Sequence, residues 1–180
     1  HSFIWRLVMA PYVQWMLRTM VPKVAAVVTV SKGIAAEYRR NFGFDSAVAV
    51  NATPYYSLEP REVGWPIRLV HSGIAAPQRR LDIMIEAVRL TSSEVTLDLY
   101  LMDNGGGEFE RLQGLAAGDP RIHIRKPVAY RELVQTLNGY DVGLSVLPPT
   151  TFNLAWCLPN KFFDFIQARL GVIVGPSPEM

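Results

Sequence analysis

Short runs of apolar, often β-branched residues alternate along this chain with segments whose apolar side chains recur every three or four positions. Residues 25–30 read AAVVTV, the composition of a short strand buried on both faces. Ser31 follows as a natural helix N-cap. Over 32–42 the side chains of Ile34, Tyr38 and Phe42 share one helical face, and Gly43 stands where a left-handed C-cap belongs. Residues 47–50 predict a second short strand. The pattern then breaks: Pro54, Tyr55, Tyr56, Pro60 and Gly64 fall close together without any period, which predicts a linker over 51–65.

Beyond the linker the alternation resumes. Strands are expected at 67–71, 95–102, 122–125, 141–147 and 172–174, and helices at 81–90, 108–117, 130–137 and 159–168. Strand, loop and helix repeated in this way predict an α/β fold with a doubly wound, Rossmann-like parallel sheet, because parallel strands need crossover helices. Ligand sites in such sheets lie beyond the carboxyl ends of the strands. With no covering helix after the last strand, the chain is expected to be part of a longer one. Before the first strand, 12–20 suits a helix carrying Trp15 and Arg18; it could pack on a sheet edge or lie at a membrane surface. Arg6, Pro11, Gln14 and Arg18 interrupt the stretch too often for a transmembrane span.

Composition narrows the classes. The 180 residues amount to about one domain and part of another, and 49% hydrophobic residues beside 19% charged ones exclude a disordered chain. A net charge of +2 gives no bulk attraction for nucleic acid. Cys157 is the single cysteine, so there is no internal disulfide; with no zinc spacing either, the chain fits a reducing cytoplasm.

The loops after the strands hold the candidate chemistry. In 71–80 Gly73 follows a strand, and Arg79 and Arg80 precede a helix. Two guanidiniums beside a helix N-terminus suit a phosphate or diphosphate, although two solvated surface arginines would look the same. Residues 103–108, Asp103-Asn-Gly-Gly-Gly-Glu108, could present a row of N–H groups around Gly105 or simply be a turn. They form neither a G-x-G-x-x-G nor a Walker A motif. Lys126 offers a further cation. In 148–161, Pro159 suits a helix start and places Asn160 and Lys161 beside free amides, although Lys161 could equally lie across Phe162 or Phe165. His71 and His123 read as packed strand histidines. No nucleophilic triad, carboxylate pair or Asp-x-Asp metal motif stands out.

Several of these segments together resemble a known family. Val28-Thr-Val-Ser-Lys-Gly-Ile-Ala35, Val50-Asn51, Gly73 to Arg79 with the following Leu-Asp-Ile-Met-Ile-Glu-Ala87, Tyr140-Asp-Val142, and Leu158-Pro-Asn-Lys161 onward to Gly171 resemble, in order and spacing, group 1 glycosyltransferases of the GT-B fold over 24–175. The resemblance implies that 1–50 are the tail of an acceptor-binding Rossmann-like domain, 51–65 the linker, and 66–180 most of a donor-binding domain, truncated at its C-terminus. It implies a transferase moving a sugar from a nucleoside diphosphate sugar to a saccharide or lipid-linked acceptor, with no cofactor and no metal. Contacts to the donor diphosphate would come from Gly73, Arg79 (in place of a lysine), Arg80, Asn160 and Lys161, and contacts to nucleotide and sugar from Asp103, Gly105, Lys126 and Asp164. Ile74 stands where an arginine is usual and Trp156 where the partner carboxylate of Asp164 is usual. The implied setting is the cytoplasm, with contact at the inner face of a membrane through the N-terminal region. A nucleotide-sugar epimerase of similar fold, or an interaction module with a decayed donor site, are the alternatives, and the isolated piece is expected to be inactive.

Overall fold

The computed structural model describes residues 3–92 and 94–180. Two compact units divide it, residues 1–50 with Glu179 and residues 51–178 with Met180. In the first, a turn of π-helix at Trp5–Met9 leads into α1 (Ala10–Met20) and a 3-10 turn at Val21–Lys23. No residue of α1 is buried, and Tyr12, Trp15, Met16 and Met20 are all exposed. No helix among the described residues is long and apolar enough to cross a membrane. The strands of this unit are shorter than their apolar runs suggest: β1 (Val28–Thr29) and β2 (Ala47–Val48) pair in parallel over two residues each. Between them α2 (Lys32–Phe42) begins and ends as its sequence dictates. The Ser31 hydroxyl accepts from the Ile34 amide at 3.3 Å, and Gly43 adopts φ 73°.

The second unit is built on a five-stranded, wholly parallel sheet in the order β5-β4-β3-β6-β7. Its elements run β3 (Ile67–Ile74), α3 (Asp82–Leu90), β4 (Val95–Met102), α4 (Glu108–Ala116), β5 (Ile122–Arg125), α5 (Tyr130–Leu137), β6 (Val142–Ser145), α6 (Phe152–Trp156), α7 (Asn160–Gln167) and β7 (Gly171–Val174). The expected doubly wound α/β class is the one observed. One core is formed where Leu81, Ile85 and Val88 meet Leu97, Leu99, Leu101 and Leu112, under α3 and α4. The other gathers Val70, Val134, Leu137 and Phe165 under α5 and α7. At the amino ends of the central strands, Arg68 donates to both Asp141 oxygens, at 3.0 and 2.8 Å, and holds that carboxyl below the usual carboxylate range. This pair ties β3 to β6 and leaves their opposite ends free.

Two local differences from the sequence reading matter. The 148–161 loop contains α6, capped by Thr151, whose hydroxyl accepts from the Leu154 amide at 3.2 Å. Residues 51–65 form no helix or strand, yet they are fastened to the sheet unit. Asn51 donates to the Leu158 carbonyl at 2.9 Å, Thr53 to Asp164 at 2.7 Å, and Arg169 to the carbonyls of Leu58 and Tyr56 at 3.0 and 2.9 Å.

Candidate functional site

The chain winds in opposite directions from β3 and β6, and the crevice beyond their carboxyl ends is where an open parallel sheet accepts ligands. A cavity of about 550 Å³ lies there. Its floor is set by Gly73, near the end of β3. A Cβ at that position would lie 3.1 Å from Lys161 Nζ, 3.3 Å from His71 Nε2 and 3.8 Å from Arg79 Nη1. Three nitrogen groups from three chain segments therefore converge on one stretch of bare backbone, which any larger residue would crowd.

Each group is delivered by a local reason. Arg79 closes a 3-10 turn, Pro77–Arg79, immediately after β3. Lys161 occupies the first turn of α7, whose N-cap, Pro159, offers no side-chain cap; the Phe162 amide bonds to the Pro159 carbonyl at 3.0 Å, and Asn160 and Lys161 line the cavity at the helix start. Among the described residues neither Arg79 nor Lys161 forms an ion pair with a carboxylate. Burial, with the Arg79 charge nearby, pushes the Lys161 amine down to about 7. His71 is fully buried; its Nδ1 lies 2.7 Å from the Leu144 carbonyl and its Nε2 3.2 Å from Lys161 Nζ. Burial first and Lys161 second hold the imidazole well below its ordinary range, so it stays neutral.

One turn after Lys161 on α7, Asp164 accepts from the Thr53 hydroxyl, and burial raises its carboxyl despite that bond and Lys161. Tyr100 brings a phenol to the wall. Its oxygen is 2.9 Å from that of Tyr140, and Tyr140 donates to Asp98 at 2.5 Å, so Tyr100 must donate to Tyr140. Met102, Pro127, Val128 and Tyr130 give the cavity an apolar side. Cations, helix amides and an apolar wall around one cleft can hold a diphosphate with a planar group attached.

Of the residues singled out in the sequence, Gly73, Arg79, Asn160, Lys161 and Asp164 line this cavity together. Arg80, Asp103, Gly105 and Lys126 do not. Arg80 takes a left-handed backbone, φ 49°, and its guanidinium pairs with Asp82 at 3.1 Å. The Asp103 carboxylate accepts from the Gly105 amide at 2.8 Å, in an exposed turn. Lys126 is exposed, next to the lining residue Pro127. Ile74 and Trp156 also lie outside the lining. Thr53 and Tyr100 carried no signal in the sequence, and His71 carried only the appearance of a packed histidine. Among the described residues no three His, Cys, Asp or Glu side chains cluster together.

No protein-family model matches the chain, and no curated protein matches it. Solved structures do. The chain is similar to the pneumococcal O-GlcNAc transferase GtfA, solved in complex with UDP and GlcNAc, with a TM-score of 0.63 and 14% identity over 93% of this chain and 33% of that one. It is similar to the apo form of the lipopolysaccharide outer core galactosyltransferase WaaB, with a TM-score of 0.66 and 16% identity over 88% of this chain and 46% of that one. TarM matches with a TM-score of 0.67 and 11% identity over 93% of this chain and 34% of that one. The chain thus spans between 33% and 46% of the length of these structures. What the likenesses show is the fold: the α/β chain with its five-stranded parallel sheet has the fold of GT-B glycosyltransferases.

Proposed function

We propose that this chain is the donor-binding part of a glycosyltransferase, which moves a sugar from a nucleoside diphosphate sugar to a saccharide or lipid-linked acceptor. The observation that carries the reading is the meeting of Lys161 Nζ and Arg79 Nη1 within 4 Å of one point above Gly73, at the uncapped start of α7. Two cationic groups without carboxylate partners, beside open helix amides, are preorganised for a dianion. As the bond from the sugar to the diphosphate breaks, negative charge grows on the departing oxygen, and fixed positive groups stabilise that state more than the ground state. The apolar wall of Met102, Pro127 and Val128 suits the nucleoside. The fold shared with GtfA, which was solved with UDP bound, supports the same reading.

Calorimetry with UDP and with GDP tests it. The unaltered chain is expected to bind one of them weakly, and Arg79→Ala and Lys161→Ala each to lower the affinity about tenfold or more, the cost of one charge-assisted hydrogen bond. Equal heats for all three proteins would remove the diphosphate from this cavity.

A further inference from the structure

We propose that His71 is the positioning residue of this cavity: its imidazole holds the Lys161 amine at the floor through a contact that both the ammonium and the neutral amine make, so that an entering diphosphate is bound with uptake of up to one proton from solvent. The inference rests on the diphosphate reading of the cavity and adds to it how the binding cation is kept.

The geometry begins with a carbonyl. Leu144 O, 2.7 Å from His71 Nδ1, can only accept, so Nδ1 carries the imidazole proton and Nε2 carries the lone pair. That lone pair faces Lys161 Nζ at 3.2 Å. An ammonium donates to it, and so, more weakly, does a neutral amine, so the contact persists in both charge states of lysine. A carboxylate in the place of His71 would instead pin the proton on Nζ. The imidazole cannot take the proton, because it is fully buried beside the Lys161 and Arg79 charges.

Four groups act on Lys161. From β3 there is neutral His71, and from the turn after it the Arg79 guanidinium, whose charge opposes a second one. From α7 itself comes Asp164, one turn on, which favours the charged amine but is already engaged by Thr53. Cys157, ahead of α7, contributes a thiol that burial keeps protonated. Burial is the largest influence and places the amine at about 7. An empty cavity therefore holds a mixture of charged and neutral Lys161 near neutral pH, and a dianion beside Nζ shifts it to the ammonium. The balance is simple: the amine gains one proton, the solvent loses one, and the diphosphate keeps its two charges.

Two measurements on the whole chain test this. Long-range 1H–15N spectra are expected to show His71 as the Nδ1–H tautomer between about pH 6 and 8, since its neutral form is the only one the site accommodates. A protonated imidazole or an Nε2–H tautomer there overturns the proposal. UDP-glucose and GDP-mannose, whose diphosphates do not titrate near neutrality, are then bound by calorimetry in buffers of different ionisation enthalpy. Near pH 8 about one proton is expected to be taken up per ligand, falling towards none near pH 6, with affinity weakening up to about tenfold per pH unit above 7. Lys161→Arg is expected to bind with no proton uptake at either pH. His71→Gln, which retains an acceptor for Nζ, is expected to keep the affinity that His71→Leu loses at both pH values; if the leucine variant does not fold, the tautomer of His71 in the unaltered chain still decides. Binding near pH 8 without proton uptake sinks the role of His71 and leaves the diphosphate reading standing. Binding of neither sugar nucleotide nor UDP or GDP overturns both.

Discussion

A Cβ placed on Gly143 would overlap the ring of Phe165. Helix α7 thus lies directly on the backbone of β6, and this close approach sets the depth at which Lys161, one turn earlier on α7, reaches Gly73. Gly143→Ala would force the ring off its position in a fully packed core, at a cost of about 1–3 kcal/mol. In the interior of α4, by contrast, a Cβ on Gly114 meets nothing within 4 Å. There the alanine is expected to stabilise by about 0.5–1 kcal/mol through helix propensity. Thermal unfolding of the two variants should shift in opposite directions, and a Gly143→Ala protein melting with the wild type would refute the contact.

Lys161 should make the empty fold sensitive to pH. Its folded value of about 7 lies below the ~10.4 of a solvated lysine. Between those values the unfolded chain holds a proton that the folded chain does not, so stability rises with pH across that window. Below about 7 the full cost of burying the charge is present. Lys161→Met removes the cost: the variant is expected to unfold later than wild type near pH 6, by about 1–3 kcal/mol, with the advantage fading towards pH 10. Denaturant titrations at the two pH values check it. An advantage that stays the same at both pH values would mean that Lys161 is an ordinary, solvated ammonium.

Much of this arrangement was legible in local pattern, and the illegible parts share a cause. The Ser31 cap and the Gly43 terminus are fixed by neighbours in sequence and appear where capping chemistry puts them, and the strand and helix alternation follows periodicity apart from the shorter β1 and β2 and the added α6. Arg79 and Lys161 could be read as phosphate ligands because both sit at strand-to-helix loops. Arg80 could not be separated from Arg79, because the difference is a left-handed turn that sends one guanidinium to Asp82. His71 looked like a packed histidine, and it is one; its contact with an amine 90 residues away depends on the register of α7 on β6. The 51–65 segment lacks periodicity because it is anchored by single polar side chains, Asn51 and Thr53, and through its carbonyls, and such anchors leave no repeating pattern.

Gly73 offers a test that leaves every charge in place. A Cβ there would stand 3.1 Å from Lys161 Nζ and 3.3 Å from His71 Nε2, tight contacts with the far ends of side chains that can shift by a few tenths of an ångström. Gly73→Ala is therefore expected to fold, at a cost within about 1 kcal/mol. The methyl group would nevertheless occupy the point on which the nitrogens converge and hold an anion away from the backbone. Affinity for UDP or GDP should fall about tenfold or more while the melting temperature barely moves. Unchanged affinity would place the anion elsewhere in the cleft.

Thr53 links the segment before the sheet to the carboxylate of the cavity. Its hydroxyl donates to Asp164 Oδ1 at 2.7 Å, and this bond opposes the burial that raises the Asp164 carboxyl. Thr53→Val keeps the shape and removes the donor, leaving a buried carboxylate short of a partner at a cost of about 1–3 kcal/mol at neutral pH. The loss belongs to the charged form, so it should shrink as pH falls through the titration of Asp164 and grow as pH rises through it. A double-mutant cycle with Asp164→Asn isolates the pair, with a coupling of about 1–2 kcal/mol expected at neutral pH and less in acid. Because Asn51 lines the cavity two residues before Thr53, the same variant should also loosen that wall and weaken nucleotide binding. Additive effects at every pH would show that Thr53 and Asp164 merely lie near each other, and that the 51–65 segment is held to the sheet without them.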